Sequence, residues 1–385
     1  MSQISLHPEY SLSEVPRVGI YQAVTAKIPW KHEPLVDQRM DPIAIRSCEI
    51  KNETIWLNCA RNKLGSDEEV KIMSLDFDRI RAAHERIRSY IRRTPVLTSA
   101  RLDEARGAQL FFKCENFQKI GAFKARGATN AVFALDDATA KRGVATHSSG
   151  NHGTALARAA KLRGIPAHIV IPKNSSKVKV HAVESYGAQL VFCEPTQQAR
   201  EAACADVIAK TGATLIHSFE NEDVMAGQGT AVVELLEDTD VDLVMCPIGG
   251  GGLLCGTAVA AKSMRPKMKV IAAEPANADD AAQSFRAGKR IVAEKKFTIA
   301  DGLRTNVGER NFPIIQRYVD DIVTVSEDAI VSAMRTIWET MKIIIEPSAA
   351  VPYAAIAERK IDISGKRVGI ILTGGNVDLD ALPWK

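Results

Sequence analysis

From Leu243 to Ala261 the chain carries no charged residue, and the stretch contains Pro247, Gly249, Gly250, Gly251, Gly252 and Gly256. Its length approaches that of a membrane span. Each glycine, however, costs a helix roughly 1 kcal/mol relative to alanine, and four in succession rule out a continuous one. The sequence instead predicts a buried strand ending at Ile248, a glycine loop, and then a helix. That unit belongs to an α/β fold, and no membrane segment is expected. The N-terminus has no apolar signal core either, so secretion is not expected.

The rest of the chain repeats the pattern. Short apolar runs at 110–113, 143–146, 167–171, 189–192, 243–248, 270–273, 322–325 and 368–372 read as strands. Helical stretches lie between them, among them 123–135, 153–162 and 178–186. Runs that are apolar throughout, rather than alternating, predict parallel strands covered by helices on both faces. Ile80, Ala83, His84, Ile87 and Ile91 lie at helical spacing and mark the start of this regular part, with Thr94-Pro95 closing the helix. Residues 1–73 have scattered prolines and no sustained period, and read as a loosely ordered extension. Codons for Glu68-Glu69-Val70 can spell a ribosome-binding site, so a second reading starts translation at Met73 and makes 1–72 a gene-calling artefact. Intact mass of the native protein decides between them.

Charge narrows the function. The 50 Lys and Arg against 46 Asp and Glu leave +4 over 385 residues, which is far from the clustered basic excess of a nucleic-acid binder. Seven cysteines, odd in number and without a Cys-x-x-Cys pair, form neither a disulfide framework nor a zinc site. A reducing, cytoplasmic setting is expected.

Four segments carry chemistry. Gly121-Ala122-Phe123-Lys124-Ala125-Arg126-Gly127 places a lysine among small residues and one aromatic at a loop-to-helix junction. Desolvation there would lower the amine's pKa, as a Schiff-base lysine requires. Taken alone, it is a surface lysine at a helix start. His147-Ser148-Ser149-Gly150-Asn151-His152-Gly153 follows a strand and opens a helix, so Ser148, Asn151 and His152 are candidates to hold a carboxylate where helix N–H groups already favour an anion. Gly249–Gly252 with Leu253 can aim several N–H groups at one phosphate, yet the run is neither a GxGxxG fingerprint nor a Walker loop. Leu372-Thr373-Gly374-Gly375-Asn376 ends another strand with a hydroxyl suited to a ring nitrogen.

Together these are the parts that a pyridoxal phosphate enzyme needs, and from about Ser74 onward the chain resembles the fold-type II branch containing serine racemase, threonine dehydratase and 3-hydroxyaspartate dehydratase. The resemblance rests on FFKCENFQ, GAFKARGATNAV, THSSGNHGTALA, AGQGT, GGGGLL, AAEPANADD, IADGL, EPSAAV and TGGNVDLD, in the family's order. It implies two open, mostly parallel twisted sheets with the cofactor in the cleft between them. The larger domain would be 74–142 with 220–385, and the smaller, mobile one 143–219. Lys124 would carry pyridoxal 5'-phosphate as a Schiff base and Phe123 would pack on its ring. Asn151 would meet the phenolate oxygen, Gly249, Gly250, Gly251, Gly252 and Leu253 the phosphate, and Thr373 the pyridine nitrogen, with Gly302 also at the cofactor. Ser148, Ser149, Asn151 and His152 would bind substrate, with Arg200 closing from the smaller domain and Arg304 pairing with a second carboxylate. Glu274, the Ala278 carbonyl and Asp280 match a divalent-cation site for Mg²⁺, Mn²⁺ or Ca²⁺. Ala122 stands where the family commonly has Ser.

The implied activity is an ammonia-lyase that converts serine, threonine or 3-hydroxyaspartate to a 2-oxo acid and ammonia. Lys124 would take the α-proton, and Ser149 would return one from the opposite face, giving some serine racemisation. The competing readings are a principal serine racemase, a β-replacement enzyme of cysteine or threonine synthesis, and a non-catalytic relative that keeps the fold for binding. The retained Lys124 speaks against the last. A homodimer is expected from the resemblance.

Overall fold

The computed structural model describes residues 75–294 and 297–384. The expectation for residues 1–73 therefore lies outside the described part of the chain. Ten strands, β1 (Val96–Leu97), β2 (Gln109–Cys114), β3 (Val144–His147), β4 (Ala167–Pro172), β5 (Gln189–Cys193), β6 (Thr214–Leu215), β7 (Leu243–Pro247), β8 (Lys269–Pro275), β9 (Asp321–Val325) and β10 (Arg367–Leu372), form two sheets. The first has six strands in the order β1-β2-β10-β7-β8-β9, and the second four in the order β5-β4-β3-β6. Every pairing is parallel except that of β1 with β2.

The expected two-faced burial is met in β7. Leu243 and Met245 join the apolar core on one face, and Val244 and Cys246 join the core on the other. Both faces are dry, so a strand here must be apolar at every position. The eight strands read from the sequence are present within a residue or two of their expected ends. β1 and β6, each two residues long, were not anticipated.

The helix Lys124–Ala134 begins at the candidate Schiff-base lysine and is held from several sides. Its Ala128, Ala131 and Val132 enter the core beneath the four-stranded sheet, beside Val144, Ile169 and Leu156. On another side it crosses the helix Glu222–Asp238 at two facing glycines. A Cβ at Gly127 would stand 2.7 Å from the Val224 carbonyl oxygen, and one at Gly227 2.7 Å from that of Arg126. Only hydrogen fits at this crossing, so the helices approach closely and the helix is fixed from two sides.

A buried ionic cluster fixes it from a third. Arg126 Nε is 2.7 Å from Glu115 and its Nη2 2.7 Å from Glu234, while Lys113 Nζ is 2.6 Å from Glu234. All four side chains are buried. Two positive and two negative groups balance, and Thr94 adds a hydroxyl to Glu115 at 2.5 Å. The cluster joins β2, the lysine's helix and the helix Glu222–Asp238.

Candidate active site

The C-terminal ends of β3, β7 and β10 each run into one of the loops singled out above, and the strand order sets β7 beside β10 in one sheet while β3 belongs to the other. In open α/β sheets this edge is where ligands bind.

Lys124 lies half-buried, its Nζ donating to the Ser218 carbonyl at 2.7 Å and standing 5.1 Å from the centre of the Phe123 ring. Desolvation lowers its pKa from the ordinary 10.5 to about 8. The backbone in front of it is clamped to the end of β10. Phe123 N–H donates to the Thr373 carbonyl at 2.9 Å, Gly375 N–H to Gly121 at 2.9 Å, and Ala122 pairs with Gly374 as a single bridge. Two successive left-handed residues, Ile120 (φ 59°) and Gly121 (φ 72°), turn the chain into this clamp. A β-branched residue at positive φ is a strained conformation.

Thr373 is buried, and its Oγ1 has no hydrogen-bond partner among the described residues. A buried hydroxyl without a partner costs free energy unless a ligand satisfies it. A ring nitrogen is such a partner, and the Thr373 carbonyl already holds Phe123, the residue before the lysine.

The glycine loop is shaped by what lies against it. A Cβ at Gly250 would stand 2.4 Å from the Phe219 ring, and one at Gly252 2.9 Å from Phe219 Cα. Asn311 Nδ2 donates to the Gly250 carbonyl at 2.6 Å and to that of Phe219 at 3.1 Å, which holds loop and ring together. Gly251 adopts φ 94° as the N-cap of the helix Gly252–Met264, with no side chain capping the first turn. Its free N–H groups and the helix dipole suit a phosphate. These features fit pyridoxal phosphate: an amine of lowered pKa, an unsatisfied hydroxyl, a glycine cradle and an aromatic beside the amine.

The second helix N-terminus, Asn151–Arg163, is capped by Gly150 and likewise has no side-chain cap. Ser148 and Ser149 precede it, half-buried. Asn151 Nδ2 donates to both oxygens of Glu346, at 3.0 and 3.1 Å, and Asn376 Nδ2 donates to Asn151 Oδ1 at 2.8 Å. Glu346 was not anticipated as a site residue. Its place in EPSAAV reads as a helix cap, and its partners lie far away in sequence.

Three side chains stand elsewhere than the sequence reading had them. The His152 ring is buried with Nε2 2.9 Å from the Ile216 carbonyl, and burial lowers its pKa to about 3. It is a neutral ring committed to the fold, so the His152 side chain offers no charged imidazole to a substrate carboxylate. Arg304 donates twice to the Thr298 carbonyl, at 3.1 and 2.6 Å, and stacks on Phe297 at 4.7 Å. That is a local structural arrangement on an exposed loop. Arg200 turns its Nε to the Thr196 carbonyl of its own helix, at 3.4 Å. Gly302 sits in an exposed 3-10 turn with its N–H on Ser348 Oγ at 3.2 Å.

Glu274 and Asp280 are both buried, at the end of β8 and the start of the helix Asp280–Ala287, with Ala278 buried in the turn between. Ala282 N–H donates to Glu274 at 2.6 Å and Val307 N–H to Asp280 at 2.7 Å. The donor set is all oxygen. Among the described residues, no group of three or more His, Cys, Asp or Glu is arranged for a metal, so a cation here would need backbone carbonyls or water as well.

The family profile described as "Pyridoxal-phosphate dependent enzyme" matches residues 87–374. The chain belongs to this family. It is 51% identical over 304 residues to the β-hydroxyaspartate dehydratase of Paracoccus denitrificans (strain Pd 1222), covering 79% of this chain and 96% of the relative. It is 47% identical over 327 residues to a serine racemase of Oryza sativa subsp. indica, covering 83% and 96%. The structure of maize serine racemase superposes with a TM-score of 0.78 at 47% identity, over 80% of this chain and 95% of that one. The fold is therefore fold-type II, as the resemblance implied. No helix among the described residues is long and apolar enough to cross a membrane.

Proposed function

We propose that the protein is a pyridoxal-phosphate-dependent ammonia-lyase acting on β-hydroxy-α-amino acids, with 3-hydroxyaspartate, serine and threonine as the substrates to compare. The observation that carries the reading is the amine of Lys124, which donates to the Ser218 carbonyl, has no ion-pair partner among the described residues and is desolvated to a pKa of about 8. The 51% identity to a β-hydroxyaspartate dehydratase supports the β-hydroxy class.

Bound pyridoxal phosphate supplies an electron sink for the charge left at Cα when its proton departs. This chain's residues do the rest. Lys124, neutral for a useful fraction of the time near its pKa, takes the α-proton as general base. Ser148, Ser149 and the N–H groups opening the helix Asn151–Arg163 hold the substrate carboxylate. Gly249–Gly252 and Leu253 hold the phosphate, and Thr373 donates to or accepts from the ring nitrogen as a neutral partner. A hydroxyl there, in place of a carboxylate, leaves the ring a weaker sink, which favours prompt loss of the β-hydroxyl. Glu274, Asp280 and the Ala278 carbonyl would hold a hard cation that braces the loop around Val307, away from the chemistry.

The test is release of ammonia and 2-oxo acid from L-serine, L-threonine and both 3-hydroxyaspartate diastereomers, with pyridoxal phosphate and Mg²⁺ present. Absence of ammonia from all four overturns the reading. The similarity to serine racemases supports a second activity, in which Ser149 delivers a proton to the face opposite Lys124. Ser149→Ala is then expected to abolish D-serine formation while ammonia release persists. D-Serine formed at the wild-type rate removes Ser149 from that role.

A further inference from the structure

Amide orientation in the cleft is dictated from one end. The Ile120 carbonyl can only accept, so the group of Asn376 lying 2.8 Å from it must be the NH₂. That same nitrogen lies 2.8 Å from Asn151 Oδ1, which directs the Asn151 NH₂ to Glu346. Glu346 receives it on both oxygens and receives Asn376 N–H at 3.3 Å. Every one of these partners of the carboxyl is a donor. As a carboxylate it satisfies them all and still leaves Asn151 an N–H to give. As a carboxylic acid it would lose acceptor capacity and add an O–H with only donors around it.

Room has been made for this group. Glu346 is the N-cap of the helix Pro347–Ala357, yet its side chain makes no cap hydrogen bond and turns instead to Asn151 and the Asn376 N–H. A Cβ at Gly374 would stand 2.7 Å from Glu346 Oε1. The buried carboxylates Glu115 and Glu234 face Arg126 and Lys113, whereas Glu346 meets amides. The charges it feels are Asp301, which opposes its ionisation, and Lys179, which favours it. These two are paired with each other at 2.7 Å. Burial pushes the carboxyl from its ordinary 4.5 up to about 7.

We propose that Glu346 is a positioning residue, whose carboxylate fixes the Asn151 amide so that Asn151 presents an N–H to the cofactor, and that its protonation releases that grip. The proposal rests on the reading of Lys124 and Asn151 as a pyridoxal phosphate site. Because the folded carboxyl titrates higher than the unfolded one, the fold holds the acid more readily than the anion. The wild type therefore loses stability as pH rises from about 4.5 to about 7, and that loss persists above.

The experiment compares wild type with Glu346→Gln and Glu346→Asp. In the holoenzyme, wild-type kcat/KM and the bound cofactor's absorbance are expected to change together with an acid limb near pH 7. Glu346→Gln should lose the component near pH 7, leaving only the limb that Lys124 sets nearer pH 8, and should bind pyridoxal phosphate more weakly, and Glu346→Asp should restore that component. In the cofactor-free protein, Glu346→Gln should melt higher than wild type at pH 8, with the difference shrinking toward pH 5. An unchanged acid limb in Glu346→Gln, or a cofactor-free variant that melts no higher at pH 8, overturns the proposal. A wild type that fails to bind pyridoxal phosphate overturns the site reading instead, so the two failures are distinguishable.

Discussion

Lys124 and Thr373 illustrate what single residues contribute here. The lysine's desolvation has a directly measurable consequence. Below pH 8 the neutral fraction falls roughly tenfold per unit, so the rate at which cofactor-free protein captures pyridoxal phosphate is expected to climb to about pH 8 and then level. Stopped-flow absorbance checks this, and a rate still rising in proportion at pH 10 would mean that the amine is not desolvated. Lys124→Ala is expected to lower kcat by at least about 10²-fold through loss of the base alone. Lys124 and Thr373 were legible as candidates in the sequence because the first lies among small residues at a loop-to-helix junction and the second precedes two glycines at a strand end. Glu346 was not, because a Glu before a Pro at a helix start has an ordinary local explanation. Nothing in the chain order brings it near Asn151 or Asn376, which lie 195 and 30 residues away.

Elements carry two further expectations. The helix that begins at Lys124 is tied into the interior by Arg126, whose removal would leave Glu115 without its cation and Glu234 with Lys113 alone. Arg126→Met is expected to cost about 3–5 kcal/mol of stability, read by urea denaturation of the cofactor-free protein. A cost below 1 kcal/mol would mean that the cluster is dispensable. The glycine loop makes the opposite kind of demand. Alanine at Gly250 meets the Phe219 ring at 2.4 Å, so Gly250→Ala must displace that ring or the loop, and weakened pyridoxal phosphate binding is expected in equilibrium titration. Unchanged affinity would show that the loop yields freely. Strands with both faces buried were legible as continuous apolar runs. β1 and β6 were not, since two residues show no period. Nor was the ionic cluster, because Lys113 and Glu115 stand in a segment that otherwise reads as one more buried strand.

At the scale of the molecule, hydrogen bonds around the candidate site add to the links between segments of the two sheets. Asn151 reaches Glu346, Lys179 reaches Asp301 and Lys124 reaches the Ser218 carbonyl. A cation at Glu274 and Asp280 would act at this scale too, bracing Val307 and, through it, the loop that follows Arg304. Added Mg²⁺ is then expected to raise the melting temperature of chelator-treated protein in a concentration-dependent way. A melting temperature indifferent to Mg²⁺, Mn²⁺ and Ca²⁺ would remove the cation from the account. Two mostly parallel sheets and the four loops followed from the sequence and the family resemblance, whereas the order of strands within each sheet did not, because continuous apolar runs do not say which strands are neighbours. The turning of Arg304 onto Phe297 did not, because an arginine after a glycine can reach in many directions and only its neighbours decide.

The clamp between the lysine loop and the end of β10 has one more consequence. Phe123 N–H on the Thr373 carbonyl makes the proposed proton acceptor, Lys124, and the proposed ring-nitrogen partner, Thr373, parts of a single hydrogen-bonded piece. The turn at Ser148–Asn151, the proposed carboxylate site, follows β3 of the other sheet. Substrate preference can therefore drift by reshaping one wall of the cleft while the reactive spacing on the other is inherited unchanged. For anyone wishing to redirect the enzyme, the first library belongs on the Ser148–Asn151 side, and the Gly121–Lys124 and Thr373–Asn376 segments should be exchanged only as a pair.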